Sequence, residues 1–175
     1  TDATPALFIG DSNRTGAGQH LAEYRGNWNG TLVGRIIFAA GDDTTNKDDG
    51  FIMMHTTPSG GSSTERLRIT SAGSVGVNQT NPDAYHSSGR NLVVGSGSGD
   101  EGMTIVSGNT SDGVINFADG TSGSESYMGR ILYRHGDNAM TFHTNTGAER
   151  LRIKSDGTVI VKTAGLNLEN ATATN

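Results

Sequence analysis

The sequence predicts an all-β protein made of two tandem repeats of short antiparallel strands and hairpins. Three observations carry that expectation: a composition hostile to helices, a segment that recurs along the chain, and apolar residues spaced two apart. Of the 175 residues 26 are glycine, 33% are hydrophobic and 6% are aromatic. Gly loses the most backbone entropy on entering a helix, and Ser and Asn compete for its backbone hydrogen bonds. The same residues suit tight turns between short strands. A lone copy has little apolar area with which to offset its conformational entropy. Stacking of the repeats and association with further copies are the two expected remedies.

The recurrence has a period of about 85 residues. Leu7-Phe8-Ile9-Gly10 returns as Leu92-Val93-Val94-Gly95, and Gly34-Arg35-Ile36 as Gly129-Arg130-Ile131. Met54-His55-Thr56 matches Phe142-His143-Thr144, and Glu65-Arg66-Leu67-Arg68-Ile69 matches Glu149-Arg150-Leu151-Arg152-Ile153. Ser71-Ala72-Gly73-Ser74-Val75-Gly76-Val77 comes back as Ser155-Asp156-Gly157-Thr158-Val159-Ile160-Val161. The blocks keep their order while their spacing varies, so the insertions belong in loops. Repeat units are expected over 1–82 and 83–163, with a tail over 164–175. The junction, from Asn78-Gln79-Thr80-Asn81-Pro82-Asp83 to Ser87-Ser88-Gly89, reads as a turn-rich linker.

Within each unit the apolar residues alternate at strand period: Ile36/Phe38, Ile52/Met54, Ile115/Phe117 and Met140/Phe142. The closing hairpin can be read to its register. A two-residue turn at Ala72-Gly73 would pair Ile69 with Gly76 and split the apolar side chains between faces. A three-residue loop, Ser71-Ala72-Gly73, pairs Ile69 with Val75 and Leu67 with Val77, which puts all four on one face. Gly73 then occupies the left-handed position of such a loop. In the second unit Gly157 takes that role, and Leu151, Ile153, Val159 and Val161 form the matching set. These eight residues are the expected hairpin core, buried between copies of the chain. Only Gln19-His20-Leu21-Ala22-Glu23-Tyr24 offers a turn of helix, hemmed in by Gly16, Gly18 and Gly26.

The net charge is −5 and there is no cysteine. No basic face is implied, which argues against nucleic-acid partners and anionic membranes. No disulfide framework or thiolate metal site is available. No apolar stretch reaches membrane-spanning length, and no signal-peptide pattern opens the chain. Thr1 in place of an initiator Met suggests a fragment or a processed chain.

The run Glu65-Arg66-Leu67-Arg68-Ile69-Thr70-Ser71-Ala72-Gly73-Ser74-Val75-Gly76-Val77, followed by Thr80-Asn81-Pro82, resembles a motif of phage tail-fibre proteins. In that family, common in marine and cyanobacterial phages, such a run with a "T-x-P" tail closes each β-structured unit of a fibrous trimer. Many members carry a C-terminal endosialidase-type intramolecular chaperone. Its "S-D-x-R-x-K" self-cleavage box has no counterpart in this sequence. In the second unit the likeness ends at Val161, where Lys162-Thr163-Ala164-Gly165 replaces "T-x-P". The resemblance implies an intertwined homotrimer in a virion tail fibre, assembled in the host cytoplasm. Its partners would be other tail proteins and a glycan or protein receptor on the host surface.

Several clusters invite sharper readings. Tyr24, Asn27, Trp28 and Asn29, near His20, combine aromatic faces with amides and are the candidate receptor-binding residues. Against this, the one Trp of an aromatic-poor chain commonly belongs to a core. Asp42-Asp43-Thr44-Thr45-Asn46-Lys47-Asp48-Asp49-Gly50 is acidic enough for a calcium loop but lacks the ligand spacing of one. A solvated hairpin tip is the expected outcome. His55 and His143 could meet around a three-fold axis and hold a metal. Alternation, however, gives Ile52/Met54 and Met140/Phe142 the inward positions and turns both histidines away. Arg66, Arg68, Arg150 and Arg152 are expected as solvent-face or intersubunit partners of Glu65 and Glu149. No nucleophile elbow, zinc-protease helix or phosphate loop is present. The expectation is therefore a non-enzymatic chain without cofactor or metal. Its rivals are a passive shaft segment and a tailspike-type polysaccharide depolymerase, which needs only two well-placed carboxylates.

Overall fold

The computed structural model describes residues 9–162, and the tail expected over 164–175 lies outside them. The protein is all-β. It divides into two compact units, Thr1–Met103 and Thr104–Asn175. In the first, β1 (His20–Trp28), β2 (Thr31–Ala40), β3 (Gly50–Thr56), β4 (Thr64–Ile69), β5 (Val75–Val77) and β6 (Leu92–Val94) form one six-stranded sheet in chain order. In the second, β7 (Asp112–Phe117), β8 (Gly129–Arg134), β9 (Ala139–Thr144), β10 (Ala148–Ile153) and β11 (Val159–Val161) form a five-stranded sheet, again in chain order. Neighbours pair antiparallel except β5 and β6, which run parallel.

Both closing hairpins adopt the three-residue connection. Leu67 faces Val77 and Ile69 faces Val75, while Leu151 faces Val161 and Ile153 faces Val159. Gly73 and Gly157 have φ of +84° and +82°. A Cβ at either glycine would meet no atom within 4 Å, so only the backbone conformation demands glycine there.

Gln19–Tyr24, the one segment that offered a turn of helix between hemming glycines, makes none: His20 onward is strand, because β2 supplies an antiparallel partner that short glycine-bounded helices cannot match. One feature departs from the sequence reading. Segment 83–103, matched in sequence to the second repeat, packs with the first sheet. Asp83 accepts a hydrogen bond from the buried Ser74 hydroxyl, Pro82 is fully buried, and Arg90 donates to the Asp83 carbonyl. The Gln79 amide reaches the Gly95 carbonyl at 3.2 Å. These ties fold the linker back and lay Leu92 beside Val75 and Val94 beside Val77.

Candidate interaction surface

Each sheet has two unlike faces, and a β-bulge sorts them. Between β3 and β4 the register steps from Met54↔Leu67 to His55↔Glu65, leaving Arg66 unpaired in the ladder. Between β9 and β10 it steps from Phe142↔Leu151 to His143↔Glu149, leaving Arg150 so. Residues three apart on a regular strand point to opposite faces. The extra residue cancels that, and Glu65 reaches Arg68 through two bonds of 2.8 Å. Glu149 likewise holds Arg152 at 2.7 and 2.9 Å. Arg66 and Arg150 instead donate to the hydroxyls of Thr56 and Thr144. The four arginines are therefore two pairs of different function, not one cationic stripe.

The paired arginines lie across a charged face. Arg68 stacks 4.4 Å over the Phe51 ring and touches the Met53 sulfur, beside the core of Ile37, Ala39 and Met53. Long side chains of this kind cover apolar surface while keeping their charge paired. On the same face Glu23 accepts from Arg25 at 2.7 Å and from Arg35 at 3.4 Å. Arg25 chiefly, with Arg35, holds the Glu23 carboxyl down to about 2, against the opposing pull of burial. In the second unit Arg152, then Lys162, holds Glu149 down to about 2.

The opposite face is apolar and open. Following the ladders across the first sheet, one row runs Tyr24–Ile36–Met54–Leu67–Val77–Val94. The next runs Ala22–Phe38–Ile52–Ile69–Val75–Leu92. The second sheet repeats the pattern with Ile115–Ile131–Phe142–Leu151–Val161 and Gly113–Tyr133–Met140–Ile153–Val159. The hairpin residues expected as core thus share one face, but within a single chain that face is not buried. Ile69 is 36% exposed, Val77 37% and Val159 59%, whereas Ile37 on the charged face is 0%. Ile36/Phe38 and Ile52/Met54 belong to this open face; the interior of the single chain lies behind them.

Alternation puts both histidines on the charged face, as their parity requires. His143 donates from Nδ1 to the Gly147 carbonyl at 2.7 Å, with Nε2 3.0 Å from the Thr141 hydroxyl. His55 has both ring nitrogens buried without a hydrogen-bond partner among the described residues. Burial, then Arg35, pushes its imidazole below the usual histidine range. In loop 42–49, Asp43 and Asp49 spend their carboxylates on the loop's own backbone. Asp49 accepts from the N–H groups of Asp42 and Asp43, and Asp43 from those of Thr45 and Asn46. Those bonds hold the Asp43 carboxyl below its ordinary range. Among the described residues no cluster of His, Cys, Asp and Glu could hold a metal ion.

Trp28 sits at the tip of the β1–β2 hairpin and is 79% exposed, not core. Asn29 and Gly30 form the turn with φ of +48° and +83°, the left-handed pair that two-residue hairpins favour. β3 pairs with β2 only from Gly34 onward, so the tip projects beyond it. Tyr24 and Trp28 lie four residues apart on one strand, hence on one face about 13 Å apart. Alternation turns Asn27 to the other side, so the four candidate receptor residues do not converge on one pocket. No family model and no curated protein matches this chain.

Sequence reasoning missed the cleft beside loop 42–49. About 380 Å³ in volume, it is lined by Asn13, Arg14, Asp43, Lys47 and Asp49 among others, and Lys47 donates to Asn13 across it. It also missed the Glu23 cluster. The Asn29-Gly30 dipeptide was the available signal for a hairpin tip at Trp28.

Proposed function

We propose that this chain is a structural and adhesive segment of a trimeric phage-type tail fibre. Two tandem β units follow one another along the fibre, three chains wrap round each other, and exposed loops touch the host surface. The observation that carries the reading is the open apolar face of each sheet. Contiguous apolar surface of this extent, opposite a face of paired charges, favours association. Contacts closing on a three-fold axis would cover it with copies of the same chain. The tail-fibre motif at Glu65–Pro82 supports the same assembly. The exposed Trp28 tip supports adhesion over a passive shaft, since a projecting aromatic contributes nothing to packing within its own sheet.

Sedimentation equilibrium tests the assembly: the expected mass is three times 18.2 kDa. A folded, cooperative monomer at low micromolar concentration overturns it. Binding of the chain to host-surface glycan without release of product is the outcome expected of an adhesin. Release of oligosaccharides would replace this reading with a depolymerase, and neither binding nor release would leave a shaft.

A further inference from the structure

On the open face of the first sheet a further row lies beyond the two apolar ones. It runs Gly26–Gly34–Thr56–Thr64, two places along β1, β2 and β3 from Tyr24, Ile36 and Met54. Gly34 is the sequence match of Gly129, yet the two glycines have different cover. In the second sheet Phe117 stands opposite Gly129, and a Cβ on Gly129 would meet the Phe117 Cβ at 3.4 Å and its ring at 3.5 Å. An aromatic side chain laid over a cross-strand glycine covers backbone that glycine leaves bare. In the first sheet the residue opposite Gly34 is a second glycine, Gly26. Among the described residues, a Cβ on Gly34 would meet only the His55 carbonyl, at 3.4 Å. One on Gly26 would meet the Gly34 carbonyl at 3.7 Å and a Val33 methyl at 4.0 Å. No ring covers this pair.

The result is a trough of about 470 Å³, lined by Tyr24, Gly26, Val33, Gly34, Ile36 and Met54 among others. That size lies within the range of small-molecule sites. Its floor is the backbone of the two glycines and its walls are largely apolar. One end is polar: Thr56 stands beside Gly34 on β3, and Arg66 donates from Nε to the Thr56 hydroxyl at 3.1 Å. Glu65 is spent on Arg68, and Arg66 pairs with no carboxylate among the described residues. The terminal nitrogens of a guanidinium form a fork that matches a carboxylate. In the second unit Arg150 and Thr144 repeat the polar end, but Phe117 fills the place of the trough.

Bare backbone between apolar walls suits the face of a ring, the threonine hydroxyls suit hydroxyls, and the Arg66 fork suits a carboxylate. We infer that the Gly26–Gly34 trough binds a hexuronic acid unit of a glycan, its ring over the two glycines and its carboxylate on Arg66. The ring takes the place that Phe117 takes over Gly129. An aromatic side chain from a second copy would fill the trough but leave Arg66 without a counter-charge. That such a glycan belongs to a host surface rests on the adhesive reading above; the sugar site itself stands on the trough and Arg66.

Titration of the full chain with methyl β-glucuronide tests it, read by the amide shifts of Gly26, Gly34 and Thr56. Saturable shifts at these residues are expected. Gly26→Phe copies the Phe117–Gly129 pair, and Gly26 is not in the left-handed region, so the ring enters without backbone strain. This variant should keep its fold and sedimentation mass and lose the saturable shift at Gly34. Arg66→Ala, which leaves the trough open, should weaken binding about tenfold, the worth of a charged hydrogen bond. Methyl β-glucoside, which lacks the carboxylate, should bind wild type about as weakly. No saturable shift in wild type overturns the inference, as does wild-type affinity in either variant. So does glucoside binding as tight as that of the glucuronide. A sedimentation mass lowered by Gly26→Phe overturns it too, since the trough then holds a ring from another copy. Cell adsorption reads adhesion separately, so sugar binding without adsorption removes the adhesin and keeps the site, and adsorption without sugar binding does the reverse.

Discussion

The hairpins β4–β5 and β10–β11 share a bulge, a Glu–Arg pair, a left-handed glycine and an apolar register. The connections at the other end of the two sheets share almost nothing. β1 and β2 are joined by a two-residue turn at Asn29-Gly30, while β7 and β8 are joined across residues 118–128, which include a short 3₁₀ helix at Gly123–Tyr127. One end of each unit is thus a frame and the other is free to vary. The frame is written in contiguous sequence, since Glu65–Val77 contains every residue that sets its own register. The variable end carries the exposed aromatic residue, and loops positioned by a rigid scaffold are where recognition commonly resides.

If the bulge is what makes the two frames alike, deleting Arg66 or Arg150 should do more damage than any substitution. Deletion returns β4 or β10 to plain alternation and parts Glu65 from Arg68, or Glu149 from Arg152. The expected loss is on the order of 2–3 kcal/mol, below the cost of breaking a fully buried pair because these are partly exposed. Arg66→Ala, which keeps the extra residue, should cost less than about 1 kcal/mol. Denaturant melts that rank the two alike would detach the ion pair from the bulge.

The turn glycines come next. Gly73→Val and Gly157→Val each place a side chain in a left-handed conformation, at about 1–2 kcal/mol. Neither position offers a clash that could add to this. Equal losses in the two units, and a clearly smaller one for Ala72→Val, are the expected thermal melts. A loss at one glycine alone would show that the frames are not equivalent.

A finer probe is acid. The ordinary value of the Glu149 carboxyl is 4.5, and Arg152 with Lys162 holds it down to about 2. A depressed carboxylate stabilises the folded chain fully above its unfolded value and loses that contribution as pH falls toward its folded one. Glu149→Gln should therefore melt below wild type at neutral pH, with the gap closing between pH 4.5 and 2. A gap that stays constant across that window would remove Glu149 from the acid response.

What the sequence revealed and what it hid follow the same division. Register, turn glycines and the shared apolar face were legible at Leu67–Val77 and Leu151–Val161 because strand alternation and turn chemistry act between neighbours. An arginine partner for Glu65 was legible too, but that Arg68 and not Arg66 takes the role was not, since a period-two reading sends Glu65 and Arg68 to opposite faces and a bulge leaves no mark in alternation. β6 was hidden for another reason. Its place beside β5 depends on Ser74 meeting Asp83 and on the burial of Pro82, contacts made across a linker that reads simply as turn. Which face is covered within one chain was also out of reach, because Ile36 and Ile37 are equally apolar and only the charged canopy over Ile37 separates them.

The smallest effect on stability is expected at Trp28, where the comparison between frame and variable end is sharpest. The side chain is 79% exposed, at a hairpin tip beyond the reach of β3. Surface positions without structural partners change stability by within about 0.5 kcal/mol. Trp28→Ala should thus leave the melting temperature and the sedimentation mass where they were. Adsorption to host cells should fall, because an exposed aromatic is the kind of anchor that dominates small interfaces. Truncating Tyr24 should behave differently, since it stands in the apolar row opposite Ile36 and its loss would weaken association of copies. Lost association with Trp28→Ala would assign the tip to the contact between chains, and unchanged adsorption would take the receptor surface elsewhere on the molecule.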